Sequence, residues 1–287
     1  MNEKINALSK EKKNLQIMCI AFIASLIISF FIITRVRAAS FLLCPAALLF
    51  YIFVYRKQTQ TYKTHVKAAI LEEGLRSSLK NITYTEKNGV TPEEIAPARF
   101  IPSDHIEGIL TRDTIRGIYQ AKPVFLTDLT SDLHSSVTTS SGKSRQTMDF
   151  LSGCYFDIRL AESTGTVFTL WHKECLPSQI RARYAATHTE LETPASLSGQ
   201  FLLFVPNGFD MPVFSDTFTD AVLRLEEYTT GQLSVQVSGD HLRIFIHHRF
   251  LYPHSIPTRI EITPQLLNSN PFPELRYMLQ IADTLKP

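Results

Sequence analysis

Short motifs with an established chemistry are missing from this 287-residue sequence. It contains no Walker A loop, no GxGxxG turn, no HExxH pair and no GxSxG elbow, which mark phosphate, dinucleotide, zinc and serine-nucleophile sites. Their absence weakens an enzymatic interpretation without excluding it. Catalytic residues stay unknown, and no residue set for a cofactor or a metal is predicted.

Cysteine is also scarce, with four residues in the chain. Cys19 and Cys44 lie in apolar runs, whereas Cys154 and Cys175 are too far apart for a CxxC motif. This spacing fits no disulfide framework. Unpaired core thiols in a reducing compartment are the ordinary interpretation, because free Cys behaves as a small apolar residue.

Excess positive charge is confined to the N-terminal segment. Residues 1–57 hold eight Lys or Arg and two acids, so that 21 of the 29 bases and 25 of the 27 acids remain in residues 58–287. This remainder therefore has a net charge of −4. A mildly acidic domain is a poor electrostatic partner for nucleic acid, so we expect no such ligand.

Two apolar runs dominate the N-terminal segment, at about 15–34 and about 38–55. As a helix the first would span about 30 Å, the thickness of a bilayer's hydrocarbon core. Arg35 and Arg37 separate the runs. In one long helix each arginine would lie near the midplane at about 2.5–3.5 kcal/mol. We therefore predict an N-terminal tail and a hairpin of two transmembrane helices within residues 1–57, surrounded by the lipid bilayer.

A cleaved signal peptide is the alternative, because Lys12 and Lys13 precede the first run and residues 36–38 loosely resemble a cleavage site. The length of the run and the second span behind it favour the hairpin. Basic residues set the orientation, since the N-terminal tail and the stretch after the second span hold eight, against two arginines in the turn. Both termini are therefore predicted in the cytoplasm. The spans carry no ionisable residue, which disfavours a transport or sensing role.

Residues 58–287 are predicted to form one soluble α+β domain. Residues 58–80 have the pattern of a helical stalk, and residues 81–102 that of a loop. The polar stretch 130–147 has little apolar surface and is predicted to be a flexible loop. Strands are predicted over 115–127, 149–160, 166–172, 200–205, 233–237 and 242–248, and helices over 215–228 and from Pro273. Strands followed by helices, without regular βαβ alternation, indicate a mostly antiparallel sheet.

Histidines give the most tempting candidate site. His247 and His248 are adjacent, and His254 follows. Neighbouring side chains of a strand point to opposite faces, so the pair cannot easily chelate one metal. Structural histidines are the ordinary interpretation, and a metal or catalytic role is the alternative. His172 and Cys175 form a second candidate, whose odd spacing separates thiol and base in a strand.

Acidic residues give a third candidate, formed by Asp104, Glu107, Asp113, Asp128 and Asp132. Carboxylates at such spacing suit acid–base chemistry or Ca²⁺, but the spacing of an EF-hand is absent. Solvated loop acids are the ordinary interpretation.

Several segments resemble a known family. The hairpin, Tyr62-Lys63, Asp104–Gly108 and Phe150–Phe156 resemble the bacterial membrane proteins of "domain of unknown function 3137". Later segments are similar in order and spacing, namely Glu190–Thr193, Phe201–Phe204, Phe218–Leu225 and Leu242–Ile246. The resemblance covers most of the chain from about residue 40. It departs at the Ser/Thr-rich loop and at Cys154, where an apolar or aromatic residue is expected. It implies a bacterial membrane protein and offers no catalytic residue to carry over.

These observations predict a multi-pass protein of the bacterial inner membrane whose cytoplasmic domain is a non-catalytic interaction or envelope-assembly module. Its expected partner is another membrane protein or a second copy of itself. The alternative is a membrane-tethered enzyme with an unrecognised site in the soluble domain.

Overall fold

The computed structural model describes residues 2–35, 48–98, 100, 109–139, 142–176, 178–229, 232–251, 256–257 and 260–285. The chain divides into two units. Unit 1 contains Met1–Gly74 and Pro253–Asn270, and unit 2 contains Leu75–Tyr252 and Pro271–Pro287. In this division residues 58–74 of the predicted stalk fall in unit 1 and residues 75–80 fall in unit 2.

In chain order the elements of the described residues are α1 (Asn2–Arg35), a π-helical turn (Tyr51–Tyr55), α2 (Arg56–Gly74), β1 (Lys80–Lys87), α3 (Pro92–Ile95), β2 (Ile109–Tyr119), β3 (Lys122–Thr139), β4 (Gly142–Arg159), β5 (Val167–His172), a 3₁₀ turn (Lys173–Cys175), α4 (Ser178–Thr187), β6 (His188–Leu191), β7 (Phe201–Pro206), α5 (Asp216–Thr229), β8 (Leu233–Ser238), β9 (His241–His247), α6 (Pro264–Asn268) and α7 (Glu274–Thr284).

Unit 1 is helical. Residues 48–50 and the π-helical turn run directly into α2, which buries the predicted face of Tyr62, Val66, Ala69 and Ile70. The helix ends at Gly74, six residues before the predicted end of the stalk. α6 packs against α2 and begins at Pro264, where Thr263 caps the free N–H groups by accepting from Leu266 N.

Unit 2 is built on an antiparallel sheet. Its strand order among the described residues is β1-β2-β3-β4-β9-β8-β5-β7-β6, and every neighbouring pair is antiparallel. This confirms the predicted α+β class with an antiparallel sheet. The β8–β9 hairpin turns about Gly239, as predicted, and Gly239 has a φ of 62° there.

The first four strands depart from the prediction in two places. The predicted strand 115–127 is in fact two strands, because Gln120 and Ala121 adopt positive φ values of 47° and 66° and reverse the chain. Neither is a usual residue of such a turn, so no residue pattern marks this reversal of the chain. The second difference is β1, which lies in the predicted loop. Its alternating exposure is typical of an edge strand with one solvated face.

The stretch 130–147 is also different from the prediction. Antiparallel pairing of β3 with β4 continues from Ser131 opposite Leu151 to Thr139 opposite Gly142. Only residues 140 and 141 of this stretch lie outside the described residues. A loop was predicted from the lack of apolar surface, but two paired strands satisfy each other's backbone groups without it, and Thr favours extended backbone.

The two faces of the sheet are covered differently. On one face lie α5 and α7, which pack on each other, and α5 buries its predicted stripe of Phe218, Val222 and Leu225. The other face carries an aromatic cluster around Trp171 that includes Phe100 and Tyr184. The remaining buried members of this cluster are Val90, Ile95, Ala98, Leu129, Tyr155, Ile180, Phe204 and Phe245.

Candidate functional site

The apolar half of α1 is exposed along its length. Over Asn2–Ile32 the helix is long and apolar enough to cross a membrane, and within the described residues it is the one helix that meets this test. Only 6% of its apolar stretch is buried. The exposed large apolar residues are Ile17, Ile20, Ile23, Leu26, Ile27, Ile28, Phe30, Phe31 and Ile32. A soluble helix would bury such a surface, so this half of α1 has the character of a membrane span.

The polar half of α1 is held by ion pairs to α2. The Lys4 ammonium lies 3.0 Å from a carboxylate oxygen of Glu72 and 2.9 Å from one of Glu73. Further along, His65 Nδ1 lies 3.1 Å from the Glu11 carboxylate. As the residue number increases along α1, the residue number of its partner on α2 decreases. The two helices are therefore antiparallel.

The same register continues into the apolar region. The ring of Phe22 lies 6.1 Å from that of Phe50 and 5.8 Å from that of Tyr51. Residues 48–55 are helical, and their large apolar side chains are exposed as on α1. Residues 36–47, which include most of the predicted turn and half of the second predicted span, lie outside the described residues.

In unit 2 the sheet contains a buried polar cluster centred on Asp157 of β4. Arg243 Nε donates to Asp157 Oδ2 at 2.9 Å, and the Tyr155 hydroxyl donates to the same oxygen at 3.2 Å. His241 Nδ1 lies 2.7 Å from the other oxygen, Oδ1. The register places Asp157 opposite Arg243. The three strands β4, β9 and β8 are joined here, since Arg243 also donates to Gln236 Oε1 at 3.4 Å.

The geometry of this cluster indicates a role in stabilising the fold. Both Asp157 oxygens have partners, and the Asp157 and Arg243 side chains are 4% and 5% exposed. Burial, with the neighbouring Asp157, raises the pKa of the Tyr155 hydroxyl well above its ordinary value, so the phenol stays a donor. Sequence reasoning missed these residues. The available signal was a charged residue at an inward position of each of two predicted strands, Asp157 and Arg243.

The predicted histidine pair is separated as expected for a strand. His247 is buried at the end of β9, and its Nε2 lies 3.1 Å from Ser234 Oγ. Burial lowers the pKa of His247 to about 3, with help from His248 and His172, so the ring is neutral at neutral pH. His248 lies beyond the strand, is exposed and has a φ of 56°. His254 is outside the described residues.

His172 and Cys175 lie where β5 passes into the 3₁₀ turn, so the segment is turned, as thiol catalysis would require. The ring nitrogens have other neighbours, however. His172 Nδ1 accepts from Glu174 N at 3.4 Å, and Nε2 lies 3.9 Å from the Glu226 carboxylate. Burial raises the pKa of the Cys175 thiol to about 11, which disfavours the reactive thiolate at neutral pH.

Two of the predicted acidic residues are not solvated. Asp113 and Asp128 are buried, which is a correction of the expected loop acids. The Tyr84 hydroxyl donates to Asp113 at 2.6 Å, and Leu251 N donates to Asp128 Oδ1 at 2.8 Å. Both sites tie strands or a following segment to the sheet. Asp132 has its backbone in β3, while residues 104 and 107 are not among the described residues.

Among the described residues, no set of three or more His, Cys, Asp or Glu side chains is arranged to hold a metal ion. Comparison of the chain with protein-family models, with curated proteins and with solved structures gives no match.

Proposed function

We propose that this protein is anchored in the membrane by a hairpin of two helices and holds its sheet domain in the cytoplasm as an interaction module. The observation that carries the proposal is the long exposed apolar surface of α1. Such a surface is stable in contact with the hydrocarbon core of a bilayer.

Several features of the described residues support the second span. Residues 48–55 are helical, apolar and exposed, and they contact α1 through Phe22 in an antiparallel register. Lys12 and Lys13 precede the apolar part of α1, and Arg56 and Lys57 follow that of the second helix. Basic residues thus flank the start of the first span and the end of the second, which favours a cytoplasmic location for both termini.

Topology is tested by cysteine labelling in intact cells, on a chain whose four native cysteines are replaced. A membrane-impermeant maleimide is expected to leave Ser9→Cys and Ser196→Cys unlabelled until the cells are opened, since both positions are exposed in the structure and belong to the cytoplasmic side in the proposal. Val36→Cys, between the predicted spans, is expected to react in intact cells. Labelling of Ser196→Cys in intact cells would refute the orientation.

The interaction role is supported by an apolar strip on unit 2. Phe209, Met211 and Val213 follow β7 and are 53%, 56% and 95% exposed. Three large apolar side chains at alternate positions of one surface segment are typical of a protein contact site. Such a strip fits the predicted partner, another membrane protein or a second copy of the chain.

Light scattering on the protein in detergent, with the micelle subtracted, tests this role. The wild-type chain is expected to give a particle larger than one copy, and the triple substitution of Phe209, Met211 and Val213 by Ser is expected to reduce it to a monomer. Substitution of the exposed Leu110 by Ser is the control. A monomeric wild-type particle without a stoichiometric partner contradicts the interaction role.

The enzyme alternative has less support. Its best residues, His172, Cys175, His247 and His248, have separate neighbours, and the one thiol among them is held protonated. Membership of domain of unknown function 3137 is a further proposal. A structure of a member with a different strand order would contradict it.

A further inference from the structure

A groove lies between α1 and the second helix, at the level where both change from polar to apolar sequence. Its volume is about 470 Å³. Glu11 and Asn14 lie within four residues before Leu15, and Lys57 and Gln58 lie within three residues after Tyr55. All four line the groove, together with Phe53 and Val54. In the proposed anchor this level is the cytoplasmic boundary of the bilayer.

The length of the groove matches that boundary. Its lining on the second helix extends from Phe53 to Tyr62, which is about 14 Å along the helix axis at the usual rise per residue. The polar layer on one side of a bilayer is roughly 5–8 Å thick. The groove therefore crosses this layer and reaches into hydrocarbon. Its deep end is apolar, since Phe53 and Val54 are exposed there.

Charges of both signs line the shallow end. The Glu11 carboxylate, which already contacts His65, is half-exposed. Lys57 is exposed on the other helix, and its ammonium forms no ion pair with any of the described residues. One free cation and one carboxylate are complementary to a headgroup that carries both a phosphate and a charged amine.

We propose that this groove binds a phospholipid with a phosphoethanolamine headgroup. Lys57 contacts the phosphate, Glu11 accepts from the primary ammonium, Asn14 and Gln58 offer further hydrogen bonds, and one acyl chain lies along Phe53 and Val54. A glycerol headgroup lacks the cation for Glu11, and a choline headgroup lacks N–H donors. The π-helical turn at Tyr51–Tyr55 adjoins the groove, as such turns often adjoin functional sites. This inference depends on the proposed membrane anchor.

Native mass spectrometry of the full-length protein measures the binding. The protein is released from nanodiscs that contain equal amounts of phosphatidylethanolamine, phosphatidylglycerol and phosphatidylcholine. We expect it to retain phosphatidylethanolamine about tenfold over the other two lipids, because one charged hydrogen bond contributes about that factor in affinity. Lys57→Gln is expected to reduce this retention about tenfold. Glu11→Gln is expected to remove the preference for ethanolamine over glycerol while phosphate binding stays.

Arg56→Gln is the matched control. Arg56 carries the same charge at the same depth as Lys57 but does not line the groove. An equal loss in both variants would overturn the site in favour of general surface electrostatics. A preference for phosphatidylglycerol, or none, would overturn the proposed headgroup. Neither result tests the proposed membrane anchor. That proposal is refuted only if the chain stays in the supernatant after ultracentrifugation without detergent.

Discussion

Among single residues, Arg243 is the ion-pair partner of the almost fully buried Asp157 carboxylate. We therefore expect replacement of Arg243 to destabilise the fold strongly. Arg243→Met leaves Asp157 buried and short of one donor, and should lower the free energy of unfolding by about 3–5 kcal/mol. Trp171, the single tryptophan, is buried in the same sheet, so its fluorescence reports denaturant unfolding of this unit in the full chain.

The control for Arg243 is an exposed ion pair between the end of β4 and the β8–β9 turn. Arg159 lies 2.7 Å from Asp240, with side chains 63% and 36% exposed. Water screens this pair, so Arg159→Met is expected to change stability by about 1 kcal/mol or less. Equal effects of the two substitutions would contradict the assigned role of the buried pair.

His247 makes stability depend on pH. Its pKa is about 3 in the folded chain against 6.5 ordinarily, so the unfolded chain takes up the proton first as pH falls. The stability that the neutral ring contributes is complete above about pH 6.5 and is lost progressively towards pH 3. At pH 5 the loss amounts to about 2 kcal/mol. His247→Gln should remove this part of the slope between pH 8 and pH 5 in unfolding titrations. Parallel slopes for both proteins would refute it.

At the scale of elements, the close approach of β4 and β9 at Gly153 is a strict packing requirement. A Cβ there would overlap the carbonyl oxygen of Ile246 and lie 3.1 Å from the His247 Cα. Gly153→Ala must therefore push the strands apart, and we expect a loss of about 3 kcal/mol or more, again by Trp171 fluorescence. Gly199→Ala is the control, since its Cβ meets open space. A stable Gly153→Ala protein would contradict the register of β4 and β9.

Elements with a strong local pattern were predictable, and long-range pairings were not. The β8–β9 hairpin follows from β-branched runs around Gly239, and α5 from its stripe at Phe218, Val222 and Leu225. The turn at Gln120 was missed because its residues have no turn preference. The Asp157–Arg243 pair was missed because residues 86 positions apart meet only through the β4–β9 pairing. Sequence alone carries no register for such a pair.

α1 should tolerate no charge in its apolar half if lipid surrounds it. Ile23→Asp is expected to raise the insertion free energy of this helix by about 2.5–3.5 kcal/mol, measured as the fraction of chains integrated into membrane vesicles during translation. Ile23 is 51% exposed, and Val213 of unit 2 is 95% exposed. Val213→Asp should leave integration unchanged. Equal effects would show that apolar exposure alone, without lipid, explains the result.

At the scale of the whole molecule, the two units are not consecutive in sequence. Pro253–Asn270 belongs to unit 1, although unit 2 precedes and follows it. Within unit 1, α6 packs on α2 and Leu267 is fully buried. The stability of this late segment therefore depends on a helix formed nearly two hundred residues earlier.

Truncation from the N-terminus separates these dependencies. A chain that begins at residue 58 retains most of α2 and should keep 260–270 protected from protease, whereas a chain that begins at residue 75 should be cleaved there at least tenfold faster. The two chains differ by the partner of α6, which includes the fully buried Val66, Ile70 and Leu71. Cleavage sites and rates are read by mass spectrometry of the products. Equal protection would mean that α6 is held without α2, and the division of the chain into these two units would then be wrong.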